Sequence, residues 1–586
     1  MTKVQSKFLN HPLLRKYVSL VHEDMTATYS RDLHKWLIIS PVLGVVTGLL
    51  ITLIAEIILK WMWPPILQFY LRHRIAMIPG LAVGFIIAGL IMQYLTPDPD
   101  EHSTEEIIRS YHEHQGDIRM RSFVPKLLAA IATVGFGGSA ALEGPSIYGG
   151  GAIGSWMWTK MRKVGLEPRD RRLMLISGAA AGMSAVFRAP LTGIIFALEM
   201  PYKDDLAHEA LLPALIASVT SYATMAAFLG AKPLFDFVTA ATYTRKDLFW
   251  SAVLGIVCGL VAMVFDITFR RVRTFSVKSS VPHWVKMAVG GILTGVCGLV
   301  FVSMFKGNLV PIGPNYEAMP LILQQSHGSL ELVVFGVLKL AATLFSLGVG
   351  GVSAMFVPLF LTGSSFGTAF GQSIVHSPAL NLYAAVGMAA FLAAGYKAPL
   401  TAVVFVAEAT GGHAYIIPSL IAAAVAYAVS GEASVSGDQR LHEGVKVAEL
   451  SKVMVRDVMQ AKVISTTAEL LLRQFADSIG AHHAHAAYPV YQGEKLAGTI
   501  SVSALSKVAP QKWEQMSVSD IMDRSVIRVP PECDVLEALR LLMAQHGQHM
   551  LLVTSPNEQL EGILTKTDIL SALNTRGGNS GYPERE

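Results

Sequence analysis

Long apolar runs without acidic or basic residues fill most of the chain before its polar C-terminal quarter. About 20 such residues in a helix span the hydrocarbon core of a bilayer, so these runs predict membrane-spanning helices. Four runs have this length and two more are further candidates. They are Trp36–Ala55, Ile75–Pro97, Met287–Phe305 and Ala409–Gly431, followed by Phe249–Phe265 and Leu211–Leu229.

Two other apolar segments are rich in glycine. Leu340–Tyr396 has no Asp, Glu, Lys or Arg, Leu127–Thr159 has only Glu143, and each segment contains eight glycines. A single straight helix cannot use such a length, so short, broken or re-entrant helices are predicted. Backbone that is not helical at membrane depth must be buried in protein or line a wet cavity. These segments are therefore where we expect a permeation path.

The composition agrees with a polytopic membrane protein. The 586 residues are 52% apolar and 15% charged, and the mean hydropathy is +0.45, whereas soluble domains carry about 25% charged residues. The net charge of +4 is too small and too scattered for a nucleic-acid-binding face. Cys258, Cys297 and Cys533 are isolated in sequence, which excludes a disulfide framework and a zinc-ligand spacing.

The distribution of charge divides the chain into four parts. Residues 1–34 are polar and lack the apolar core of a cleavable signal peptide, so we expect a cytosolic segment. Residues 35–440 are expected to form an all-α transmembrane domain. The tail is polar and predicts a soluble α/β pair, with one unit in 441–515 and the second unit and chain end in 516–586.

An ordered set of landmarks recurs about 210 residues apart. Phe187–Thr192 reappears as Tyr396–Thr401, with Ala-Pro-Leu-Thr in common, and a glutamate follows the proline by nine residues in both copies. Two homologous halves with glycine-interrupted segments indicate a membrane transporter whose site lies between the repeats. The other landmarks are Glu199 and Glu408, Gly138 and Gly351, and Pro145 and Pro358.

Glu143 is the sharpest chemical signal in the sequence. It is the only charged residue between Lys126 and Lys160, and a carboxylate inside a membrane is costly and usually functional. Pro145 suits the first turn of a helix, where free N–H groups attract an anion. Glu143 would compete with a permeant anion for that site until protonation removes its charge. The alternative is a glutamate that caps its own helix at the membrane surface.

With these motifs the chain resembles the CLC family of chloride channels and chloride/proton antiporters. Glu143–Pro145 matches the end of the family's Gly-Arg/Lys-Glu-Gly-Pro motif, although Ala141 and Leu142 replace the glycine and the basic residue. Ala354–Pro358 matches Gly-x-Phe-x-Pro, with Ala354 for the glycine. The resemblance implies two inverted-topology repeats with broken helices, in a homodimer with one pore per subunit. Further matches are Gly178–Gly182, Ala189–Leu191 and Ala398–Thr401.

The resemblance also implies site residues. Glu143 would be the external gating and proton-binding glutamate. The family's serine ligand for the central anion has no secure counterpart, so His102, Ser103 and Thr104 are candidates, or this stretch is a solvated acidic loop. The backbone amides that line the anion sites would be those of Leu142, Glu143, Gly144, Met355 and Phe356.

Two further positions depart from the family. Its central tyrosine would fall at Ser436, which keeps a hydroxyl but has no ring. The intracellular proton glutamate of coupled antiporters would fall at Met200, and a thioether cannot relay a proton. The neighbouring Glu199 is expected to hold a helix terminus or to pair with Arg188, as Glu408 would with Lys397, rather than to transfer protons.

The tail resembles a pair of CBS modules. Val455–Met459 is similar to Val518–Met522, and Thr565–Asp568 matches the pattern Thr-x-x-Asp, whose aspartate binds the ribose of adenine nucleotides. In the first unit Ala504 stands where this aspartate would be. The pair is expected to hold one adenine nucleotide or none, with Thr565 and Asp568 as its ligands, or to be a structural dimerisation module. No metal site is predicted, since the histidines near His482 lack a partner acid or thiol.

Together these features predict transport of small inorganic anions, chloride by default, and no enzymatic activity or required cofactor. Met200 favours a channel-like or weakly proton-coupled protein. A chloride/proton antiporter with a water-mediated proton route is the alternative. A CBS-regulated cation transporter is remote, because it would need several pore-facing carboxylates. We expect a multi-pass protein of the cell membrane, if the source is prokaryotic, with a cytosolic tail.

Overall fold

The computed structural model describes residues 30–100, 103–162, 166–235, 243–323, 327–440, 453–482, 487–525, 527–544, 550–555, 557 and 559–569. The chain divides into two compact units, 1–441 and 442–586. The larger unit is helical, and the smaller one contains two three-stranded sheets with short helices.

The first half of the helical unit contains nine α-helices among the described residues. A stretch of π-helix at Ile57–Met62 joins the first two into one continuous helical segment. The helices are α1 Ser30–Glu56, α2 Trp63–Arg72, α3 Met77–Leu95, α4 Ser103–Glu113, α5 Phe123–Gly135, α6 Glu143–Met161, α7 Pro168–Phe187, α8 Pro190–Glu199 and α9 Leu211–Leu229.

The second half follows the same plan. It begins with the longest helix of the described chain, α10, and ends just before the tail. Its helices are α10 Arg245–Lys278, α11 His283–Met304, α12 Ala318–Leu323, α13 Ser329–Leu347, α14 Phe356–Phe370, α15 Leu380–Tyr396, α16 Pro399–Thr410 and α17 Ile416–Val429.

Helix packing repeats between the two halves. Helices α6 and α7 pack together as α14 and α15 do, and α9 packs on α1 and α7 as α17 packs on α10 and α15. Two pairs cross between the halves, α3 with α11 and α8 with α16, and each pair joins equivalent helices. The internal repeat of the sequence is therefore a repeat of the structure.

Glycines permit the closest helix contacts at equivalent places. A Cβ on Gly150 would lie 1.9 Å from the carbonyl oxygen of Gly178, and one on Gly363 would lie 2.2 Å from that of Gly387. Only a residue without a side chain lets two backbones approach this closely. The glycine-rich composition of both halves is thus explained by packing as well as by helix breaks.

Within the described residues six helical stretches are long and apolar enough to cross a membrane. Five of the six predicted runs lie within these stretches or extend at most two residues beyond them. The exception is Ala409–Gly431, which was expected as one span; that prediction is wrong. Helix α16 ends at Thr410 because Gly411 adopts a left-handed conformation, with φ +65°, and α17 begins at Ile416. The six stretches are His34–Arg72, Arg74–Leu95, His208–Leu229, Arg245–Lys278, His283–Met304 and Ser329–Leu347.

The two glycine-rich segments are broken, as predicted. In the first, α5 ends at Gly135 and α6 begins at Glu143. In the second, α13 ends at Leu347 and α14 begins at Phe356. Both breaks leave a helix that starts inside the protein. Its first backbone N–H groups have no acceptor in an earlier turn of the same helix.

Glu199 caps a helix of the opposite half. Its Oε1 accepts a hydrogen bond from the Leu400 N–H (3.1 Å), and its Oε2 accepts from the N–H and hydroxyl of Thr401 (2.8 and 2.5 Å). These donors form the first turn of α16, where a negative charge also suits the helix dipole. The expectation that Glu199 holds a helix terminus is confirmed.

Glu408 makes the same bonds in the other direction. Its carboxylate accepts from the N–H of Leu191 (2.9 Å) and from the N–H and hydroxyl of Thr192 (both 2.7 Å), at the start of α8. The expected pairing with Lys397 is wrong, because the Lys397 ammonium instead donates to the Tyr427 carbonyl at 2.9 Å. The two halves therefore exchange caps across the α8–α16 contact.

The smaller unit consists of two similar sheets. In each, the first strand pairs in parallel with the second, and the second pairs antiparallel with the third. A helix lies between the first and second strands of both sheets. The elements are β1 Thr466–Thr467, α18 Leu472–His482, β2 Ala487–Gln492, β3 Lys495–Ser501, α19 Val502–Leu505, β4 Arg528–Val529, α20 Val535–Ala544, β5 Met550–Thr554 and β6 Leu560–Thr565.

The similar stretches Val455–Met459 and Val518–Met522 pack on each other's sheets. The Val455 N–H donates to the Cys533 carbonyl of the second repeat (2.8 Å), and the Val518 N–H donates to the Leu470 carbonyl of the first (2.9 Å). Each repeat is therefore completed by a segment that precedes the other one in sequence.

The exchanged caps predict a loss of stability when Glu199 is truncated. Glu199→Ala leaves the buried donors of the α16 start without an acceptor, which costs about 2–3 kcal/mol. The midpoint of thermal unfolding in detergent should fall clearly. Glu209→Ala, at an exposed position nearby, is the matched control. Equal midpoints for the two variants would contradict the capping role.

Candidate functional site

Helices α6 and α14 begin side by side in the centre of the helical unit. Ala141 and Ala354, which precede them, form an isolated antiparallel bridge in which the Ala141 N–H donates to the Ala354 carbonyl at 2.8 Å. The Ser353 hydroxyl donates to the Ala141 carbonyl and closes the contact on one side. A short strand-like bridge thus fixes two helix N-termini next to each other.

Gly144 makes this approach possible. A Cβ at this position would lie 2.6 Å from the Ser353 carbonyl carbon and 2.8 Å from the Ala354 nitrogen. Real Cβ atoms do not approach backbone so closely, so any larger residue must push the two helix starts apart. The glycine after Glu143 is therefore required by the packing of α6 against the segment before α14.

The Glu143 carboxylate lies at the start of α14 and is fully buried. Its Oε1 accepts a hydrogen bond from the Phe356 N–H (2.5 Å) and one from the Tyr396 hydroxyl (3.2 Å). Its Oε2 has no hydrogen-bond partner among the described residues. The carboxylate that begins one broken helix thus occupies the N-terminus of the other.

The helix N-terminus offers Glu143 a partial positive charge, but no cationic side chain. Neither α6 nor α14 has a side-chain cap of its own, so their first N–H groups face the space between them. In the described part of the chain no lysine or arginine forms an ion pair with Glu143. Helix N-termini of this kind bind anions through neutral donors and the helix dipole.

A small cavity of about 30 Å³ adjoins the site, which is room for one or two waters or a single small ion. The hydroxyl of Thr104 is buried in its wall and has no hydrogen-bond partner among the described residues. Ser436, Met355 and Tyr396 also line it. The rest of the wall is mostly apolar, with Phe269, Leu347 and Val435, and it also includes the acid Glu105.

Comparison with known proteins identifies the family. The description "Voltage gated chloride channel" matches residues 83–431, more than half of the chain. The chain belongs to this, the CLC, family. A second match, "CBS domain", covers residues 518–575. Both the recognition of the family and the predicted fold class, all-α membrane domain and α/β CBS tail, are confirmed.

Individual relatives share about a quarter of their sequence with the chain. An uncharacterised protein of Methanocaldococcus jannaschii is 28% identical over 67% of this chain and 92% of its own length. The H(+)/Cl(-) exchange transporter ClcA of Yersinia pestis is 28% identical over 66% of this chain and 82% of its own. Among solved structures, a CLC-type fluoride/proton antiporter superposes with a TM-score of 0.61 at 21% identity, covering 71% of this chain and all of that one.

Two of the five predicted amides point at this site, and the other three lie at the neighbouring helix start. Met355 and Phe356 direct their N–H groups to the Tyr396 hydroxyl (3.1 Å) and to Glu143. Leu142, Glu143 and Gly144 form the start of α6, whose N–H groups have no partner in an earlier helical turn.

The candidates for a side-chain ligand differ in position. His102 and the Ser103 side chain lie outside the described residues. Thr104, one residue on and in the first turn of α4, lines the cavity together with Ser436. Of the three candidates it is therefore the one that the structure describes at this cavity.

The segment that carries Ser436 is fastened by Gln439. The Gln439 side-chain amide donates to the carbonyls of Met200, Tyr202 and Tyr396, at 3.1, 3.2 and 3.1 Å. The Met200 side chain is buried at the end of α8. The two positions at which this chain departs from the CLC motifs therefore lie on segments joined by one glutamine.

Tyr396 is the functional residue that sequence reasoning missed. Its hydroxyl contacts both Glu143 and Met355, although sequence reasoning placed it only at the start of the repeated segment that contains Ala-Pro-Leu-Thr. The repeat itself carried the signal, since Phe187 is the equivalent residue in the first half and has no hydroxyl. Tyr396, at the end of α15, lines the same cavity as Ser436.

In the tail, Asp568 is already held by hydrogen bonds. Its Oδ2 accepts from the N–H (2.8 Å) and hydroxyl (2.6 Å) of Thr565, and its Oδ1 accepts from the Gln460 side chain (2.7 Å). Helix capping therefore accounts for the Thr-x-x-Asp spacing without a ligand. His483 and His485 of the histidine cluster lie outside the described residues.

Substitution of Gly144 tests whether the two helix starts must touch. In Gly144→Ala the added methyl separates α6 from Ser353, and a shift of about 1 Å in a binding geometry can reduce a rate about 100-fold. Anion flux in liposomes should fall at least about tenfold. Gly149→Ala, in the same helix but with its nearest neighbour at 3.6 Å, should retain wild-type flux. Similar flux in both variants would show that the approach is not required.

Proposed function

We propose that this protein transports small inorganic anions, chloride by default, through a pathway gated by Glu143, and that it is channel-like or weakly proton-coupled. One observation carries the proposal. A buried carboxylate occupies the N-terminus of α14 and accepts the Phe356 N–H, which is the place where a permeant anion would bind.

The gate follows from competition between two anions for one site. A charged Glu143 satisfies the amide at the start of α14 and blocks it. A proton on the carboxyl removes the charge that holds it at the helix terminus. The side chain can then leave, and a permeant anion takes its hydrogen bonds.

Neutral donors suit rapid transport. An anion at this site would be held by amide N–H groups and by the hydroxyls of Thr104, Tyr396 and Ser436. Conduction requires binding that is favourable enough for entry and weak enough for release. A lysine or arginine at the same distance would hold the anion more strongly.

Chloride and protons are supported as substrates by the relatives. The Yersinia pestis protein that is 28% identical bears the name H(+)/Cl(-) exchange transporter. Antiport is therefore the second candidate function, with water in the cavity beside Glu143 as the proton route. Met200 in place of a carboxylate favours weaker coupling.

The site does not suit a cation. Mg²⁺ and similar ions bind several oxygen ligands, with carboxylates among them. Glu143 is the only carboxylate that accepts hydrogen bonds from the two helix starts within the described residues. The surrounding N–H donors would repel a metal ion.

Assembly and location extend the proposal. The protein is a multi-pass membrane protein, and we place it, if the source is prokaryotic, in the cell membrane as a homodimer, with the CBS tail in the cytosol. The tail would regulate transport, with one adenine nucleotide bound at Thr565 and Asp568.

Glu143→Gln should abolish the pH dependence of anion flux. The amide cannot ionise, so the variant resembles the protonated gate and should transport at high pH as the wild type does at low pH. Chloride efflux from proteoliposomes over a series of buffers measures this. A Gln variant whose flux still rises on acidification, as in the wild type, would show that Glu143 is not the gate.

Asp568→Ala should weaken binding of ATP, ADP or AMP to the full-length protein at least about tenfold, since hydrogen bonds to a charged group contribute about 1.5–3 kcal/mol. Asp520→Ala is the matched control, because Asp520 caps Ser517 with the same geometry. Calorimetry compares the two. Equal affinities in both variants and the wild type would remove the assignment.

A further inference from the structure

Asp266 is a second buried carboxylate in the membrane unit, and no sequence motif points to it. It lies in α10, its side chain is fully buried, and neither oxygen has a hydrogen-bond partner among the described residues. Buried polar groups are almost always hydrogen-bonded. A carboxylate that leaves both oxygens free inside a membrane protein therefore requires an explanation.

Helix packing does not require an acid at this position. Gly255 and Gly259 of α10 contact α17 just as Gly44 and Gly48 of α1 contact α9. This correspondence aligns Asp266 with Ala55 in the first half. The equivalent helix is thus built with a small apolar residue, and the acid is a property of the second half alone.

The charges that act on Asp266 come from two elements. Arg270 follows one turn later on α10, and Lys397 follows the end of α15. Neither forms an ion pair within 4.0 Å with Asp266 in the described structure, and the Lys397 ammonium donates to the Tyr427 carbonyl and, at 2.6 Å, to the Ser430 hydroxyl. These cations make a buried negative charge tolerable without occupying its oxygens.

The other elements packed against α10 contribute no competing group. On α13, Lys339 donates to the Gly313 carbonyl at 2.8 Å, and Glu331 lies 3.1 Å from the His327 ring. Helix α14 carries no charged residue. On α17, Tyr427 donates its hydroxyl to Asp204. At the other end of α10, Asp247 accepts a hydrogen bond from the Tyr383 hydroxyl of α15 (2.7 Å), so among the described acids of this helix Asp266 is the one that keeps both oxygens unbonded.

Tyr396 interacts with both Glu143 and Asp266. Its hydroxyl bonds to Glu143 Oε1, and it interacts electrostatically with Asp266 from α15, which packs on α10. Phe269, three residues after Asp266 and hence on the same helix face, lines the cavity together with Tyr396. The Tyr396 hydroxyl thus bonds to one carboxylate and is within electrostatic reach of the other, and the neighbour of Asp266 on α10, Phe269, lines the same cavity as Tyr396.

The C-terminal end of α10 is rich in basic residues, as the cytosolic ends of membrane helices are. Arg270, Arg271, Arg273 and Lys278 follow Asp266, and Arg273 donates to the Asp100 carbonyl of the loop after α3. Basic residues concentrate on the cytosolic side of membrane helices. Asp266 is therefore about one turn inside the cytosolic end of the membrane unit.

We infer that Asp266 is the intracellular proton-binding group of this protein and supplies Glu143 through Tyr396 and water in the cavity; this rests on the proposed gate. The Asp266 carboxylate takes a proton from the cytosolic side. The proton passes along the hydroxyl and cavity water, Glu143 becomes neutral, and Asp266 returns to its charged form. Asp266 thereby replaces the carboxylate that is absent at Met200, on a different helix.

The test compares proton and chloride movement in the same proteoliposomes, under an imposed chloride gradient with the voltage clamped by valinomycin and potassium. Asp266→Asn should lower proton flux at least about tenfold, within the range of general acid–base effects, while chloride flux changes less than about twofold. Glu199→Gln, another buried carboxylate but one fully used in capping, should keep the wild-type proton-to-chloride ratio.

A second variant distinguishes loss of the proton-binding carboxylate from the effect of leaving the Lys397 charge without its counter-charge. Asp266→Asn combined with Lys397→Gln removes both charges and should fold even if the single variant does not. A wild-type proton-to-chloride ratio in the double variant, or in Asp266→Asn itself, would overturn the assignment. So would a wild type that moves chloride without protons, although the anion-transport proposal would then survive. Absence of chloride flux in the wild type would refute the proposed function instead.

Discussion

Two helix N-termini meet inside this membrane protein, and a single carboxylate satisfies the amide at one of them. Backbone that starts a helix at membrane depth has N–H groups that lipid cannot satisfy. The Ala141–Ala354 bridge, the absent side chain of Gly144 and the broken helices before α6 and α14 all serve to bring these groups together. Glu143 is the anion that the chain itself provides for this site.

The two halves have similar residues at positions that pack helices together, and they differ at several positions that carry polar side chains. Aligning the halves places Glu143 opposite Phe356, the residue whose N–H it binds. Tyr396 corresponds to Phe187, and Asp266 corresponds to Ala55. In contrast, Glu199 and Glu408 are identical in type and in their bonds. Pseudo-symmetry thus builds the frame, and at Glu143, Tyr396 and Asp266 one half has a polar side chain where its counterpart in the other half is apolar.

Patterns along the chain predicted the family, the broken helices and Glu143, because charge-free runs and one isolated carboxylate are visible without coordinates. They did not reveal Tyr396, since its hydroxyl reaches Glu143 only through the packing of α15 against the start of α14. They also missed Asp266, which lies in an ordinary apolar helix pattern. The prediction of a single span over Ala409–Gly431 was wrong, because composition cannot show that the Gly411 backbone adopts a left-handed conformation.

The exchanged glutamate caps have a consequence for biogenesis. Glu199 is synthesised about 200 residues before Leu400 and Thr401, so during translation it enters the membrane with no helix start to bind. The first half must therefore wait, incompletely docked, until the second half has emerged from the ribosome. Each cap can form only when both halves are present, so correct insertion of one half is a condition for completing the other.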